Sequence, residues 1–433
     1  MKKPNILFLF SDQQRWDTLG CYNTAIDATP HLDQLASEGV RYENAFTCQP
    51  VCGPARACLQ TGLYATQLGC YRNGIALPQN VSTIAERLRQ NGYETAYVGK
   101  WHLASTGTAP VPEQLRGGYQ DYWVAADVLE FTSDGYGGHM FDKDNKRVDF
   151  KGYRADCQTD FALDYLDNRQ KDKPFFLFVS YLEPHHQNNA GHFQGPEGSK
   201  ERFRDYPVPE DLKAFEGNWA REYPDYLGCC ASLDYNAGRI IDLLKRQGEY
   251  ENTLIVYTSD HGSHFRTRNG EYKRSCHDSS VRVPLIIRGP GFMGGQVAEE
   301  LASLIDLPVT LLQSAGAGAS GLRGNPLQQN DRPQEVFIQI SESQVGRAIR
   351  TKRWKYSVKA PFRNGWLHAG ARRYREEFLY DLENDPHELN NLAKSKGHQE
   401  IRARLRQTLV RRMEEAGEKA PVILDGRWRV CRR

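Results

Sequence analysis

The sequence lacks any apolar stretch long enough to cross a membrane. The continuous run near its start, Ile6–Phe10, is far short of the roughly 20 residues that a spanning helix needs. It is also too short for a signal-peptide core, even with Lys2 and Lys3 before it. The expectation is a cytoplasmic protein, or a periplasmic or secreted one whose leader was removed. An excess of charge is missing too. A formal net charge of +2 argues against a general polyanion binder, so any anion site must be a local cluster. Neither a nucleic acid nor a membrane is an expected partner. The ten cysteines (Cys21, Cys48, Cys52, Cys58, Cys70, Cys157, Cys229, Cys230, Cys276 and Cys431) show no paired zinc spacing and no small disulfide framework. Their usage leans toward a reducing compartment, and Cys229 and Cys230 read as packing residues of a helix. There is no internal repeat. At 433 residues the chain is too long for one small core, so a large domain with a smaller companion is expected.

What is present is concentrated in Thr47–Tyr64, which holds Cys48, Cys52, Cys58, Pro50, Pro54 and Arg56. The stretch reads as a loop entering a helix, with Gly53 as cap, Pro54 at the first helical position and Gly62 as the stop. Cys52 then lies at a helix N-terminus, where free amides and the dipole favour an anion. Arg56 adds a permanent cation one turn in. A cysteine there is a reactive group, a residue awaiting modification, or a small buried hydrophobe. This stretch alone leaves all three open.

Elsewhere the chain repeats one device, a buried strand that ends in polar residues. Asn5–Phe10 runs into Ser11-Asp12-Gln13-Gln14. A Thr83–Glu86 capping box opens a helix that Gly92 closes, and Thr95–Val98 then leads to Gly99-Lys100-Trp101-His102. Phe175–Tyr181 leads to Leu182-Glu183-Pro184-His185-His186. A helix marked by Leu233, Ala237, Ile240, Ile241 and Leu244 stops at Gly248, and Thr253–Thr258 leads to Ser259-Asp260-His261-Gly262. Strands alternating with helices specify an α/β fold: a large, mostly parallel sheet flanked by helices. In such sheets the strand C-termini share one edge, so these polar ends can converge. The last quarter differs. Residues 316–332 read as a linker or long loop, and Glu335–Ile340, Ala348–Arg350, Trp354–Val358 and Phe378–Tyr380 as short strands at hairpin spacing. Ile401, Leu405 and Leu409 stripe a closing helix whose arginines read as its solvated face. The expected division is a catalytic unit over residues 1–330 and a small antiparallel sheet with a helix over residues 331–433.

Asp12 and Asp260, with Gln13 and His261 beside them, form a candidate divalent-cation site. Its oxygen donors suit calcium or magnesium, and one imidazole also admits manganese or zinc. Arg56, Lys100, His102, His185 and Lys273 supply positive charge around it. A metal, fixed cations and a candidate nucleophile suit attack on a tetrahedral oxyanion ester.

Cys52-Gly53-Pro54-Ala55-Arg56 followed by Thr61-Gly62 resembles the Cys/Ser-x-Pro-x-Arg…Thr-Gly signature of the type I sulfatases of the alkaline phosphatase superfamily. Gly99–Leu103, Thr258–Gly262, Arg282–Gly291, Ser303–Pro308, Ala348–Thr351 and Leu379–Pro386 resemble further landmarks of that family in order, over nearly the whole chain. The resemblance implies an alkaline phosphatase-like fold and hydrolysis of a sulfate ester. It implies that a maturation enzyme oxidises Cys52 to formylglycine, whose hydrate attacks sulfur and later expels sulfate to regenerate the aldehyde. It implies that Asp12, Gln13, Asp260 and His261 hold a metal, calcium in most relatives, which also meets the modified Cys52. Arg56 and Lys100 would stabilise the hydrate, His102 would assist sulfate release, and His185 and Lys273 would bind sulfate and help protonate the leaving oxygen.

Two positions depart from the pattern. Gln13 stands where most relatives carry aspartate, so the site has one less negative charge. His261 stands where asparagine is frequent. His186 and Arg274 compete with His185 and Lys273 for their roles. The substrate expectation is a sulfated carbohydrate, with aryl and other alkyl sulfates behind it. Phe131–Tyr136, His186–Phe203, His264–Arg268 and Pro361–Arg373 are the candidate substrate loops. The rival expectations are a formylglycine-dependent phosphonate monoesterase or phosphodiesterase, and an idle binder of sulfated glycans.

Overall fold

The computed structural model describes residues 2–329 and 331–425, so Cys431 and the last residues of the expected C-terminal unit lie outside the described part. Eleven strands build the large sheet: β1 (Asn5–Ser11), β2 (Val40–Phe46), β3 (Glu94–Lys100), β4 (Tyr122–Ala126), β5 (Ser133–Asp134), β6 (Tyr136–Asp142), β7 (Arg147–Tyr153), β8 (Phe175–Ser180), β9 (Thr253–Ser259), β10 (Leu285–Arg288) and β11 (Gln296–Ser303). Their order is β11-β2-β10-β9-β1-β8-β3-β4-β6-β5, with β7 paired to β6.

The centre, β9-β1-β8-β3-β4, is parallel throughout. On one flank β10 runs antiparallel between β9 and β2; on the other β6 runs antiparallel to β4. The central strands are apolar because both faces are covered. Ile6, Phe8 and Phe10 of β1 enter one core with Phe176, Phe178 and Tyr97, while Leu7 and Leu9 enter the other with Leu177, Val179 and Val98. Strand alternation thus sends one run into two cores. The flanking β6, β7 and β11 mix buried and exposed positions, and β2 buried and half-buried ones, which is why no apolar run announces them.

A second sheet, β12 (Glu335–Ile340), β13 (Gly346–Thr351), β14 (Trp354–Lys359), β15 (Arg373–Asp381) and β16 (Val422–Leu424), is antiparallel except for its β15–β16 pair. The Gln399–Glu415 helix lays Leu405, Leu409 and Met413 on it, and the same core takes in Cys48, Cys58 and Tyr64 from the Thr47–Tyr64 stretch. The arginines of that helix are not simply solvated. Arg406 bonds Glu376 at 2.8 Å, and Arg402 lies 3.4 Å from its other oxygen.

The Cys52–Thr61 helix starts earlier than its glycine and proline suggest. Val51 is the cap, Cys52 the first helical residue and Pro54 the third. Proline is tolerated there because the first-turn amides have no partner within the helix. Gly62 closes it at φ 67°, in the left-handed region that glycine adopts without cost. The Thr83–Glu86 capping box is formed in both directions.

Candidate active site

Parallel order places four polar strand ends on one edge. Asp12 follows β1, Lys100 ends β3, His185 comes shortly after β8, and Asp260 follows β9. Gly99 is required at this edge: it has φ 106°, and a Cβ there would stand 2.0 Å from the Ser180 carbonyl oxygen of β8. The Cys52–Thr61 helix, buried along its whole length, brings Cys52 over the strand ends.

Around Cys52 the groups close to bonding distance. Lys273 Nζ donates to its Sγ at 2.8 Å, and Sγ lies 3.3 Å from His261 Nε2 and 3.4 Å from Asp12 Oδ1. Lys100 Nζ and an Arg56 terminal nitrogen share Asp12 Oδ2 at 2.9 and 3.0 Å. Arg56 also bonds Ser180 Oγ at 2.7 Å and the Lys100 carbonyl at 2.9 Å, and its Nε lies 3.6 Å from Asp260. Lys273 Nζ is 3.2 Å from His185 Nε2; a lysine can only donate, so His185 Nε2 accepts there as neutral imidazole.

Burial disfavours every charge in this site, and pairing decides what survives. Burial and the Asp12 charge push Asp260 up to about 6. Burial would raise Asp12 as well, but Lys100 and Arg56 hold it well below the usual carboxylate range. Burial would likewise raise the Cys52 thiol, yet Lys273, Lys100 and His261 keep it well below the thiol range. Burial and then Lys273 lower His185.

Asp12, Cys52, Asp260 and His261 offer ligand atoms within 4.8 Å of one another, all buried. The donor set fits a cation. Asp260 Oδ2 has no hydrogen-bond partner among the described residues. His261 Nδ1 lies 2.9 Å from the Gly262 carbonyl oxygen, which fixes the proton there and leaves Nε2 to the cluster. Gln13 at φ 72° donates its backbone NH to Asp260 Oδ1 at 2.9 Å and its side-chain Nε2 to Ser263 Oγ at 3.2 Å. The amide oxygen is the end left for a metal. Two carboxylates, an amide oxygen and one imidazole suit a hard divalent ion.

Gln13, Cys52, His102, His185 and Lys273 line one cleft of about 170 Å³. His186 also lines the cleft but is engaged elsewhere: it stacks on Tyr272 at 4.3 Å between centroids, and its Nε2 lies 3.7 Å from Glu222. Arg274 pairs with Glu342 and Glu271, so Lys273 is the residue beside Cys52. Of the four candidate substrate loops, His186–Phe203 reaches this cleft, through His186 and Asn188, whereas Phe131–Tyr136 lines a separate cavity. Arg268 instead bonds the carbonyls of His387 and Glu388, and Pro361–Arg363 line a separate cavity on the small sheet.

Sequence reasoning missed Glu130 and Asn73. Glu130 Oε1 accepts from Lys100 at 3.0 Å, and the Lys100 charge outweighs burial to bring its carboxyl down to about 2. Asn73 Oδ1 accepts from the Gly53 amide at 2.9 Å and Asn73 lines the cleft. Each is one polar residue outside any motif, and only tertiary contact distinguishes it.

No helix of the described residues is long and apolar enough to cross a membrane. The family model for sulfatases matches residues 4–317, and that for the C-terminal region of N-sulphoglucosamine sulphohydrolase matches residues 270–415. The chain is 30% identical to the uncharacterized sulfatase YidJ of Escherichia coli (strain K12), over 96% of this chain and 88% of that protein. It is 26% identical to an N-acetylglucosamine-6-O-sulfatase of Bacteroides thetaiotaomicron, over 90% and 83%. The solved yidJ protein of Bacteroides fragilis superposes with a TM-score of 0.82 at 25% identity, covering 96% of both chains. BT4656, solved with its substrate D-glucosamine-2-N,6-O-disulfate, shares the fold with a TM-score of 0.78 at 24% identity, over 96% and 98%. The chain therefore belongs to the sulfatase family and has its alkaline phosphatase-like fold.

Proposed function

We propose that this enzyme hydrolyses a carbohydrate sulfate ester, with Cys52 as the precursor of formylglycine and a divalent cation, calcium first, at Asp12, Gln13, Asp260 and His261. The supporting observation is the position of Cys52 Sγ, with the acidic cluster on one side and Lys273 at 2.8 Å on the other. Sγ stands in for the oxygens that formylglycine would carry. As a hydrate, formylglycine would supply the nucleophile, and a cation held by Asp12, Gln13, Asp260 and His261 would supply Lewis-acid stabilisation of charge on the sulfate.

The chain's own residues then have separable tasks. Arg56 and Lys100 neutralise Asp12 and hold position 52 against the acidic cluster. Lys273 and His185, side by side over Cys52, receive the sulfate oxygens. A bound anion favours imidazolium, so His185 becomes able to give a proton to the leaving alcohol oxygen. His102 lines the same cleft and takes up the proton released as sulfate departs. The aminosugar sulfates in the names of the compared proteins make N-acetylglucosamine 6-sulfate and glucosamine disulfate the first substrates to try.

Two measurements test the reading. Mass spectrometry of the Cys52 peptide from the native host should find formylglycine, and released sulfate should be detected from a panel of sulfated sugars. A thiol in the host, or matched phosphate esters turning over faster than sulfates, would overturn it.

A further inference from the structure

The Cys52 cleft has a neighbour. Glu130 lines both the cleft and a second cavity of about 850 Å³, bounded also by Phe131, Tyr136, His139, Lys151 and Asn189. Asn188 and Asn189 divide in the same way, the first on the cleft and the second on the cavity. The two spaces therefore adjoin along one wall.

That wall is held from within. Gln187 Nε2 donates to the Glu130 and Ser133 carbonyls at 3.3 and 3.0 Å and to Asn189 Oδ1 at 2.7 Å. Asn189 Nδ2 donates to Asp134 Oδ1 at 2.6 Å, and Arg154 donates to Ser133 Oγ and Gln187 Oε1 at 3.1 Å each. Two loops remote in sequence are thus tied into a preformed surface. Gly137 and Gly138, at φ 122° and 149°, contribute no side chain to the space; a Cβ on Gly138 would meet that of Ser133 at 2.4 Å.

What lines the cavity suits a sugar. Phe131 and Tyr136 are 62% and 56% exposed. One exposed aromatic needs no explanation, but two at a cavity beside a catalytic cleft offer stacking surfaces for the apolar face of a pyranose. Lys151 and His139 supply polar contacts for hydroxyl or acidic substituents, whereas Arg147 is taken up by Asp149 at 2.8 Å. At the junction, Glu130 Oε2 is buried without a hydrogen-bond partner among the described residues, an acceptor that a substrate hydroxyl would satisfy.

We infer that this cavity binds the sugar unit next to the sulfated one, so that the substrate is a sulfated oligosaccharide rather than a free monosaccharide or an aryl sulfate. The inference rests on the sulfatase reading above. Phe131→Ala and, separately, Lys151→Ala in the matured enzyme test it, because neither removes buried packing. The probes are 4-nitrocatechol sulfate, monosaccharide sulfates, and tetrasaccharides from heparan sulfate, chondroitin sulfate and ulvan. In the parent enzyme the best tetrasaccharide should exceed its own terminal monosaccharide sulfate in kcat/KM. Each variant should lower kcat/KM for that tetrasaccharide about tenfold, mainly through KM, while aryl sulfate turnover stays within about twofold. Equal losses on both probes, no loss on the tetrasaccharide, or a monosaccharide cleaved as well as the tetrasaccharide would overturn the inference. So would aryl sulfate turnover without hydrolysis of any glycan. Failure of the parent enzyme on every sulfate would instead remove the sulfatase reading, and this inference with it.

Discussion

Cys52 Sγ lies 2.8 Å from Lys273 and within 3.4 Å of Asp12 and His261, a neighbourhood that Cys48 and Cys58 do not share. Those two face the core of the small sheet instead. Cys52→Ala is therefore expected to reduce sulfate release by about 10⁴-fold or more with an unchanged thermal midpoint; turnover near that of the parent would rule out Cys52 as the nucleophile's precursor. His185 carries a second prediction, about pH. In the free enzyme burial and Lys273 hold its pKa below the ordinary imidazole range, so the form able to donate is lost early as pH rises. A bound sulfate ester raises that pKa. Since kcat/KM reports the free enzyme and kcat the complex, the descending limb of kcat should lie at higher pH than that of kcat/KM. His185→Ala should cost roughly 10²–10⁴ in kcat and abolish the limb; an unaltered profile in the variant would exclude His185 as the proton donor. At this scale Asp12, Lys100, His185 and Asp260 were legible because each follows or ends a buried strand, and Cys52 and Arg56 because one short helix carries both. Glu130 was not, since its importance comes from a contact with Lys100 made across 30 positions.

Among the elements, β1, β3, β8 and β9 were readable as short apolar runs because they bury both faces. The flanking strands were not, because their solvent-facing positions dilute the signal: β11 carries Glu299 and Glu300 in mid-strand, and β7 alternates with lysine and arginine. The helix boundary at Cys52 was misjudged by its glycine and proline, since proline is acceptable anywhere in a first turn. Gly99 shows how an element and the site depend on each other. It lets β3 approach β8 closely enough to set Lys100 against Asp12. Gly99→Ala should destabilise the fold by about 3 kcal/mol or more, from backbone strain and overpacking together, and should lower activity further by displacing Lys100. A denaturant midpoint close to that of the parent would show that β3 accommodates a side chain there.

For the whole molecule, the joint between the two sheets is ionic at its centre. Asp278, before β10, bonds Arg350 at 3.2 and 3.1 Å and also pairs with Lys355, which in turn meets Glu388. Burial would raise Asp278, but Arg350 and Lys355 hold it well below the usual carboxylate range. The unfolded chain therefore binds this proton more readily. Its stabilisation is complete above about pH 5 and is lost progressively below about pH 4. Asp278→Asn should cost about 3 kcal/mol at pH 7 and distinctly less at pH 3, as read from urea midpoints; a pH-independent difference would contradict the assignment. The Ala348–Thr351 landmark marks Arg350, but nothing in the sequence joins it to Asp278, Lys355 and Glu388, which only docking of the sheets brings together. The same long-range closure bears on the making of the enzyme. Cys52 is 1% exposed once folded, and the lysine that covers it lies 221 residues later in the chain. At about 5–20 residues per second, roughly 10–45 s pass between synthesis of the two. An oxidising enzyme acting on position 52 has that interval, before the last strands arrive, in which its target is still within reach.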